Sequence, residues 1–567
     1  MFTKFMKEPE SNSPYIDLTT YVLPNDRGKD LSLTKIYEPI PRKGSGVDFD
    51  IYDYEMLFND APTVSLIKEG RTIGCFYIES PGMRSLLRRL SVDTFEMLTA
   101  ASSIIRPGVA ESGMMQEFIL RHKDPSRRKY LVPEMKKYLG STYGLMIYQE
   151  DVLRVAHHII GLSLEEADLL RRAMSGKMRS HDAMSKLQGR FREVGLKRGL
   201  KPEVVAELWR QVSSFAGYAF CKSHSACYAL LSYQVAYLKA HHPAEFMSSV
   251  LSNRGGYYSP AVYIQESKRL GLKVALPCVN KSEYEYSCEG KTIRIGFMAI
   301  KGLGTGYVER IIAERERNGR YVSLADFIVR LHPGPQETGL LIKAGAMDCF
   351  KQTRPTLMRL LDVYLHNRRL LDGMQYDLFA ADSFELERKV VTDLDYSPAE
   401  KLITEMELFG YGATRHPLEF FPEYLSRPGI VPASDMRRYN GRTIKMIGWY
   451  MTAKRIKTKK GDIMKFLSLE DLTGTFEAVL FPGAYNKYAE ETMSMGPYLV
   501  EGKVDMENGD NLIVNKLELV SSADMNAVKM NDSVEHNYFG DEEKIFEEEF
   551  SLVNSLGREA MVQAYAG

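Results

Sequence analysis

The side chains best suited to chemistry in this sequence are cations, hydroxyls and an imidazole at two predicted helix ends. The first set follows a glycine turn and precedes a stretch, residues 226–241, whose apolar residues have helical spacing. The second set lies around the end of an earlier predicted helix. The sets are Lys222, Ser223 and His224, and Arg171, Arg172 and Lys177. Because free N–H groups and the helix dipole favour anions, two such ends lying close together would bind a polyphosphate.

These residues also have an ordinary structural interpretation. Ser223 or Ser225 would cap the helix through its hydroxyl group, while the neighbouring cations would be solvated. The residue pattern alone leaves both interpretations open. The helix itself is predicted to bury one face, formed by Tyr228, Leu231, Val235 and Leu238.

Glycines at alternate positions before another predicted helix indicate a second kind of site. Lys301, Gly302 and Gly304 follow a short predicted strand over residues 293–298 and precede a predicted helix over residues 307–317. Backbone N–H groups without side chains can approach a phosphate closely. A lone copy would be an ordinary turn, but residues 340–346 repeat the pattern in degenerate form. We therefore predict tandem helix-hairpin-helix motifs, which bind duplex DNA independently of sequence.

Basic and aromatic residues interleave in a predicted all-β module. Its five strands, over residues 443–451, 464–470, 475–481, 498–504 and 511–519, alternate and turn like those of an OB-fold. Between residues 441 and 465 there are eight Lys or Arg and one Asp, with Trp449 and Tyr450 among them. Cations beside aromatic platforms are what single-strand binding needs, and the alternative is a solvated basic loop. The candidate single-strand contacts are Lys454, Arg455, Lys457, Lys459, Lys460 and Phe466.

Asp48 and Asp50 are the candidates for holding metal ions. On a strand, both carboxylates would point to one face and could bind the two Mg²⁺ ions of nucleotidyl transfer. However, residues 54–58 look like the start of a short helix, and an acid-rich helix N-terminus is the common structural case. We therefore assign no metal ligand.

Helices must position the first two sets of cations. The pattern predicts five of them, over residues 151–161, 163–175, 181–198, 202–215 and 226–241, whereas residues 71–160 alternate strand-like and helical pieces. Between residues 165 and 222 there are twelve Lys or Arg against seven Asp or Glu, although the whole chain has no net charge. Any nucleic-acid binding must therefore come from local basic patches.

Composition and length are those of a multidomain globular protein. The chain of 567 residues is too long for a single hydrophobic core, so several domains are expected. No stretch has the apolar length of a membrane span or resembles the apolar core of a signal peptide. The six cysteines are scattered without CxxC spacing, which argues against a zinc cluster and against a disulfide framework. We expect a cytoplasmic protein with reduced thiols and no membrane partner.

Long motifs in a fixed order resemble the fingers of the bacterial C-family replicative DNA polymerases, the alpha subunits of DNA polymerase III. The motifs are GCFYIESPGM over residues 74–83, RPG over 106–108, the Tyr-Gly and Tyr-Gln-Glu pieces of 143–150, RRAMSGK over 171–177 and FAGYAFCKSHSACYALLSYQ over 215–234. Order and spacing match over residues 45–520. The resemblance places the incoming nucleotide's phosphates at Arg171, Arg172, Lys177, Lys222, Ser223 and His224. The residue pattern leaves the arginines of residues 82–90 facing either template phosphate or water.

The resemblance implies a multidomain α+β fold, with mostly helical fingers and a helix-hairpin-helix region followed by an all-β OB-fold barrel. The expected divisions are an irregular segment (1–45), a palm-edge region (46–160), helical fingers (161–275), tandem helix-hairpin-helix motifs (276–365), a linker with a clamp-binding peptide (366–435), the barrel (436–522) and an acidic tail (523–567). The clamp peptide is expected to use Gln375, Asp377, Leu378 and Phe379.

The implied reaction is template-directed DNA synthesis in bacterial replication or repair, with Mg²⁺ held by palm aspartates. The implied partners are primer–template DNA, single-stranded template, deoxynucleoside triphosphates and the sliding clamp. In the family those aspartates precede the GCFYIES-like stretch, and we find no match for them here, so we assign no catalytic residue. We expect the palm on a separate polypeptide. The alternative is a catalytically inactive, truncated protein that binds DNA and clamp, and a compact polymerase using Asp48 and Asp50 is the least favoured case.

Overall fold

A computed structural model describes residues 22–23, 31–32, 49–105, 113–174, 181–213, 221–366, 391–458, 460–507 and 509–520. The chain divides after Tyr54 into two units. In the first unit, strand β1 (Val22–Leu23) pairs antiparallel with β2 (Leu31–Ser32), within the stretch predicted to be irregular.

The second unit begins with a helical region. Its helices are α1 (Tyr54–Asn59, which starts at the boundary), α2 (Ala61–Lys68), α3 (Pro81–Leu90), α4 (Phe95–Ile104), α5 (Met114–Lys123), α6 (Met135–Leu139), α7 (Gln149–Arg154), α8 (Leu164–Met174), α9 (His181–Lys197), α10 (Pro202–Ser213), α11 (Lys222–His241), α12 (Pro243–Asn253) and α13 (Pro260–Arg269). A π-helical turn, Val155–Ile160, continues α7. The five predicted helices are therefore present. The described part of residues 71–160 contains helices, turns and loops but no strand, so the strand-like pieces predicted there were wrong.

Helix α11 lies at the centre of this region and packs against α2, α4 and α12. Its most buried residues include Ala229, Tyr233 and Ala236, and the Tyr233 ring meets the edge of Phe58 at 5.1 Å between centroids. The predicted buried face is only half-buried, because neighbours surround the helix on several sides and its small residues allow the closest approach.

A small sheet and four helices follow. The strands β3 (Lys273–Ala275), β4 (Ser287–Glu289) and β5 (Thr292–Arg294) are ordered β3-β5-β4. The helices are α14 (Thr305–Asn318), α15 (Leu324–Leu331), α16 (Pro335–Lys343) and α17 (Arg354–His366). Helices α18 (Pro398–Phe409) and α19 (Pro422–Leu425) then lead to the barrel.

The barrel has five strands and one helix. They are β6 (Thr443–Lys457), β7 (Ile463–Glu470), β8 (Thr475–Leu480), α20 (Pro482–Tyr488), β9 (Tyr498–Asp505) and β10 (Asn511–Leu519). The strands close in the order β10-β8-β7-β6-β9, with β10 parallel to β8 and the other pairs antiparallel. This is the topology of an OB-fold, and the predicted α+β fold class is confirmed.

The barrel packs against the helical region through α3. Arg84 donates to Thr475 Oγ1 at 3.0 Å, Ser85 Oγ donates to the Gly509 carbonyl at 3.0 Å, and Arg88 pairs with Asp510. The arginines of this helix were predicted to face template phosphate or water. Both interpretations are wrong for Arg84 and Arg88, because their guanidinium groups reach the barrel.

A second contact runs through a buried chain of alternating charges. The fully buried Lys239 on α11 donates to Glu266 Oε1 at 2.6 Å and to two carbonyls of the loop before α3. Glu266 pairs with Arg269 at 3.2 Å, and Arg269 pairs with Glu470 on β7 at 2.9 Å. Burial acts to raise the pKa of Glu266, but the adjacent Lys239 and Arg269 lower it to about 2.

No helix in the described part of the chain has the length and apolar character needed to cross a membrane.

Candidate nucleotide and nucleic-acid site

The candidate nucleotide site is organised by the first turn of α7. Asp151 fixes that turn, because its buried carboxylate accepts the N–H groups of Ile147 and Tyr148, both at 3.0 Å. Burial is the largest influence on this group and raises the pKa of Asp151 to about 6. The turn is therefore held rigidly, and its outward residues, Gln149 and Glu150, are fixed in position.

Gln149 and Glu150 join the two predicted sets of cations. Gln149 Oε1 accepts a hydrogen bond from Arg171 at 3.2 Å. Glu150 Oε2 accepts the backbone N–H of Lys222 at 2.9 Å, and the Lys222 ammonium lies 5.7 Å from the centroid of the Tyr148 ring. The structure thus brings both sets to one surface. Sequence reasoning assigned no role to Gln149 or Glu150, although their place just before Asp151 marked a helix start.

Asp168 holds the two arginines of the first set. Its Oδ1 pairs with Arg171 at 2.8 Å, and its Oδ2 accepts from Arg172 Nε at 2.6 Å. The hydrogen bond from Arg171 is the main influence that lowers the pKa of Asp168, and the bond from Arg172 adds to it. Both arginines occupy the last turn of α8, where the helix dipole favours cations. Sequence reasoning missed Asp168 as their partner.

The second set lies inside α11 rather than ahead of it. The helix was predicted from residue 226, but it starts at Lys222, because Cys221 is extended and Glu150 satisfies the first N–H group. Neither predicted serine cap is present: Ser223 is exposed and contacts Cys221 Sγ at 3.1 Å, while Ser225 is buried against Ser103 at 2.6 Å between the hydroxyl oxygens.

Exposure fits a surface site. Lys222, Ser223 and His224 are all exposed, and Arg172 is 62% exposed. Lys177 lies outside the described residues. In this arrangement the chain's own carboxylates, from Glu150 and Asp168, occupy the positions beside the cations. A phosphate with its greater charge could replace them through charge-assisted hydrogen bonds.

The GCFYIES stretch forms a tight loop anchored by Glu79. Its buried carboxylate accepts the N–H groups of Gly74 at 2.8 Å and Tyr257 at 2.5 Å, and the Tyr263 hydroxyl at 3.0 Å. Burial is the main influence and raises the pKa of Glu79. The loop leaves Phe76 47% exposed on the surface. The motif therefore has a structural role in joining α3 to the turn before α13.

The two hairpins lie close together at Gly302. Gly302 adopts a φ of +83°, and a Cβ there would lie 3.4 Å from Leu340 Cδ1 on α16. Gly304, at the start of α14, would meet no atom within 4 Å, so the backbone there is open to a phosphate. Lys301 is exposed beside it, and Gly345 takes the equivalent left-handed conformation, at φ +78°, in the second hairpin.

The basic surface of the barrel lies along β6. Lys454 pairs across the sheet with Phe466 on β7, so the charge and the half-buried ring share one face. Arg455, Lys457 and Lys460 are exposed nearby, whereas Lys459 lies outside the described residues. Trp449, expected among the aromatic platforms, is buried against the segment before the barrel, and this expectation was wrong.

Candidates for the metal ions and the clamp are not placed in a site. Asp50 lies in a turn rather than on a strand, and its carboxylate accepts the N–H of Tyr52 at 2.8 Å. Asp48 lies outside the described residues, as does the whole clamp peptide. Among the residues that the structure describes, no group of three or more His, Cys, Asp or Glu side chains could hold a metal ion.

Two family models match this chain. Residues 33–199 match the bacterial DNA polymerase III alpha subunit finger domain. Residues 271–357 match the helix-hairpin-helix motif, which confirms the motif predicted from the paired glycine turns. The finger-domain match includes Arg171 and Arg172 and ends before α11.

Curated relatives extend the similarity over most of the chain. The chain is 32% identical to DNA polymerase III subunit alpha of Aquifex aeolicus over 84% of its own length and 40% of that protein. It is 34% identical to the same subunit of Borreliella burgdorferi over 79% and 39%. An error-prone DNA polymerase of Symbiobacterium thermophilum is 32% identical over 83% and 47%. The chain thus spans less than half the length of these relatives, and its resemblance to part of the alpha subunit is confirmed.

Proposed function

We propose that this chain acts in template-directed DNA synthesis, in bacterial replication or repair, as an alpha-subunit-like protein of DNA polymerase III in the cytoplasm. It would bind the incoming nucleotide, primer–template DNA, the sliding clamp and single-stranded template. The observation that carries the proposal is the meeting of the two basic helix ends at the first turn of α7, within a chain that resembles alpha subunits over most of its length.

The nucleotide's phosphates are proposed to bind between the end of α8 and the start of α11. Arg171 and Arg172 would turn from Asp168 to the phosphate oxygens, because a triphosphate carries more charge than a carboxylate. The N–H of Lys222 would exchange the Glu150 carboxylate for a phosphate oxygen at the positive end of α11. Ser223 and His224, exposed in the same turn, would add donors.

Nucleotide affinity tests this assignment directly. The dissociation constant of a deoxynucleoside triphosphate would be measured on the full chain with primer–template DNA bound. Arg171→Gln should weaken binding about tenfold, since a hydrogen bond to a charged group contributes about 1.5–3 kcal/mol. Asp168→Asn should bind as tightly as the unchanged chain or more tightly, because a competing carboxylate is lost.

The matched control is Arg190→Gln. Arg190 is also an exposed, ion-paired arginine of the helical region, with Glu166 at 2.8 Å, but it lies on α9. If Arg171→Gln and Arg190→Gln weakened the nucleotide equally, the loss would reflect overall charge, and the phosphate site would have to lie elsewhere.

DNA is proposed to bind at the hairpins and the barrel. Duplex phosphates would meet Lys301, the turn at Gly302 and the open backbone at Gly304, without reading sequence. Single-stranded template would follow the basic strand β6, with the cations on its backbone and Phe466 stacked on a base.

The sliding clamp is proposed to bind the segment that contains Gln375, Asp377, Leu378 and Phe379, where two adjacent apolar side chains would fill a pocket. Changing Gln375, Leu378 and Phe379 together to Ala should abolish clamp binding and leave DNA binding unchanged. Equal clamp affinity in this variant would remove the assignment.

Nucleotidyl transfer in this family would use Mg²⁺ bound by palm carboxylates. The described residues do not fit this role, so we assign no Mg²⁺ ligand and no catalytic residue among them. We propose that a separate polypeptide supplies the palm. Primer extension by the purified chain with Mg²⁺ and all four nucleotides tests this proposal. We expect bound primer–template DNA without extension until that polypeptide is added. Extension by the chain alone would refute a separate palm, and a failure to restore synthesis would favour a DNA- and clamp-binding protein without catalysis.

A further inference from the structure

Two cysteines far apart in sequence meet beside the tandem hairpins. Cys278 lies in the loop that enters this region, and Cys349 lies in the turn after the second hairpin. The Cys278 and Cys349 side chains interact through a thiol hydrogen bond, and both are free thiols. Around them, Val279 N–H donates to the Ala346 carbonyl at 2.9 Å, and Asn280 Nδ2 lies 3.7 Å from Cys349 Sγ.

The surroundings make one of these thiols nucleophilic. The hydrogen bond with Cys349, the N–H of Asn280 and the charges of Arg294 and Lys281 lower the pKa of Cys278 against the effect of burial. The same hydrogen bond raises the pKa of Cys349. These contacts favour the thiolate of Cys278, which is the reactive form of cysteine. Only 9% of Cys278 is exposed, so it admits small reagents, whereas Cys349 is open to solvent.

We propose that Cys278 and Cys349 form a redox-active thiol pair that hydrogen peroxide converts into an intrachain disulfide. This site goes beyond the proposed role in DNA synthesis and does not depend on it. A disulfide in a reducing compartment is typically transient and redox-sensing, so the pair would respond to peroxide and be restored by thiols.

The reaction balances with peroxide as the oxidant. The Cys278 thiolate attacks one peroxide oxygen, the O–O bond breaks, and a sulfenic acid forms while the released hydroxide takes a proton to become water. The Cys349 sulfur then attacks the Cys278 sulfur, losing its proton as the S–S bond forms and the sulfenic oxygen leaves as a second water. The two sulfurs together lose two electrons, and the peroxide gains them.

The disulfide would tie the entry loop to the end of the second hairpin. The closed loop, from residue 278 to residue 349, contains α14, α15, α16 and both glycine turns. A cross-link around so long a segment restricts the unfolded chain and so stabilises the folded region. Oxidation would therefore stabilise the folded helix-hairpin-helix region against unfolding.

Mapping the thiols of the full chain tests the proposal. The native chain would be treated with hydrogen peroxide, its remaining thiols alkylated, and its peptides analysed by mass spectrometry without reduction. We expect one linked pair of peptides, containing Cys278 and Cys349, two hydrogens lighter than their sum and separated by dithiothreitol. Either Cys278→Ser or Cys349→Ser should lose this link, whereas the control Cys227→Ser, at an exposed cysteine of α11, should keep it.

Two results would overturn the inference. In the first, peroxide treatment of the native chain leaves both thiols open to alkylation, or oxidises them to sulfinic acids without forming a disulfide. This result is obtained without any variant. The other is a mapped link that leaves the melting temperature of the oxidised chain no higher than that of the reduced chain, because the cross-link is expected to stabilise the folded region.

Discussion

Asp510→Asn is expected to weaken the junction between the barrel and α3. Asp510 is held in the left-handed conformation, at φ +58°, which asparagine also tolerates, so the change removes charge with little effect on the backbone. The carboxylate pairs with Arg88, whose side chain is 17% exposed, and with Arg437, which is 52% exposed. The consequence should come almost entirely from Arg88.

The magnitude follows from this burial. An exposed pair such as that with Arg437 contributes about 0–1 kcal/mol. Removing one partner of a buried pair costs about 3–5 kcal/mol, because the other charge is left without compensation. The asparagine oxygen can still accept one hydrogen bond from Arg88. We therefore expect a loss of about 2–3 kcal/mol in the free energy of unfolding of the barrel.

The chain offers a specific probe for this measurement. It has two tryptophans, Trp209 on α10 and Trp449 in the barrel, so a Trp209→Phe background leaves Trp449 as the reporter during urea unfolding. Asp435→Asn is the matched control, since Asp435 pairs at 3.0 Å with Arg438, which is 78% exposed. A loss for Asp510→Asn no larger than that for Asp435→Asn would mean that the charges between α3 and the barrel are effectively solvated, and would refute the reasoning.

Two further predictions concern the barrel. Burial beside α3 raises the pKa of Glu477 from 4.5 to about 7, so its contribution to stability is present below about pH 4.5 and is lost as pH rises to 7. Glu477→Gln should therefore raise the free energy of unfolding at pH 8 by about 1–3 kcal/mol, and the difference from the unchanged chain should disappear towards pH 4.5. Equal urea midpoints for the variant and the unchanged chain at pH 8 would contradict this prediction. Changing Lys457 and Lys460 to Ala should reduce the slope of the logarithm of the single-strand binding constant against the logarithm of the salt concentration by up to about 1.4. The control Lys445→Ala, at a lysine paired with Glu501, should change this slope less. An unchanged slope in the first variant would mean that Lys457 and Lys460 are solvated and do not contact the strand.

The periodic spacing of apolar residues in the sequence predicted most of the helices and strands. Alternation and glycine turns located all five barrel strands. The strand ends differ mainly at β6, which continues to Lys457 because its second half, from Trp449 onwards, pairs with the whole of β7. The short helix α20 was not predicted. The helices of the candidate site were also placed correctly, with α11 as the main exception at its start.

Long-range partners were beyond the reach of the sequence pattern. Whether Arg84 contacts water or Thr475 depends on how the barrel packs against α3. The spacing of residues along the sequence contains no information about that packing. The same holds for Glu150, whose carboxylate determines where α11 begins from a position on another helix. The local pattern suggested Ser223 and Ser225 as caps because it could not include that contact.

The chain of charges from Lys239 to Glu470 bears on how this molecule can evolve or be re-engineered. OB-folds are often regarded as portable modules, but here the outer surface of β7 completes an electrostatic sequence that starts on α11. A barrel grafted from a distant relative would leave the buried Arg269 with Glu266 but without Glu470, unless that position and its neighbours were exchanged as well. The barrel and the helices that it packs against should therefore be exchanged together. In a chimaera, the junctions should lie outside this combined segment and not between the helices and the barrel.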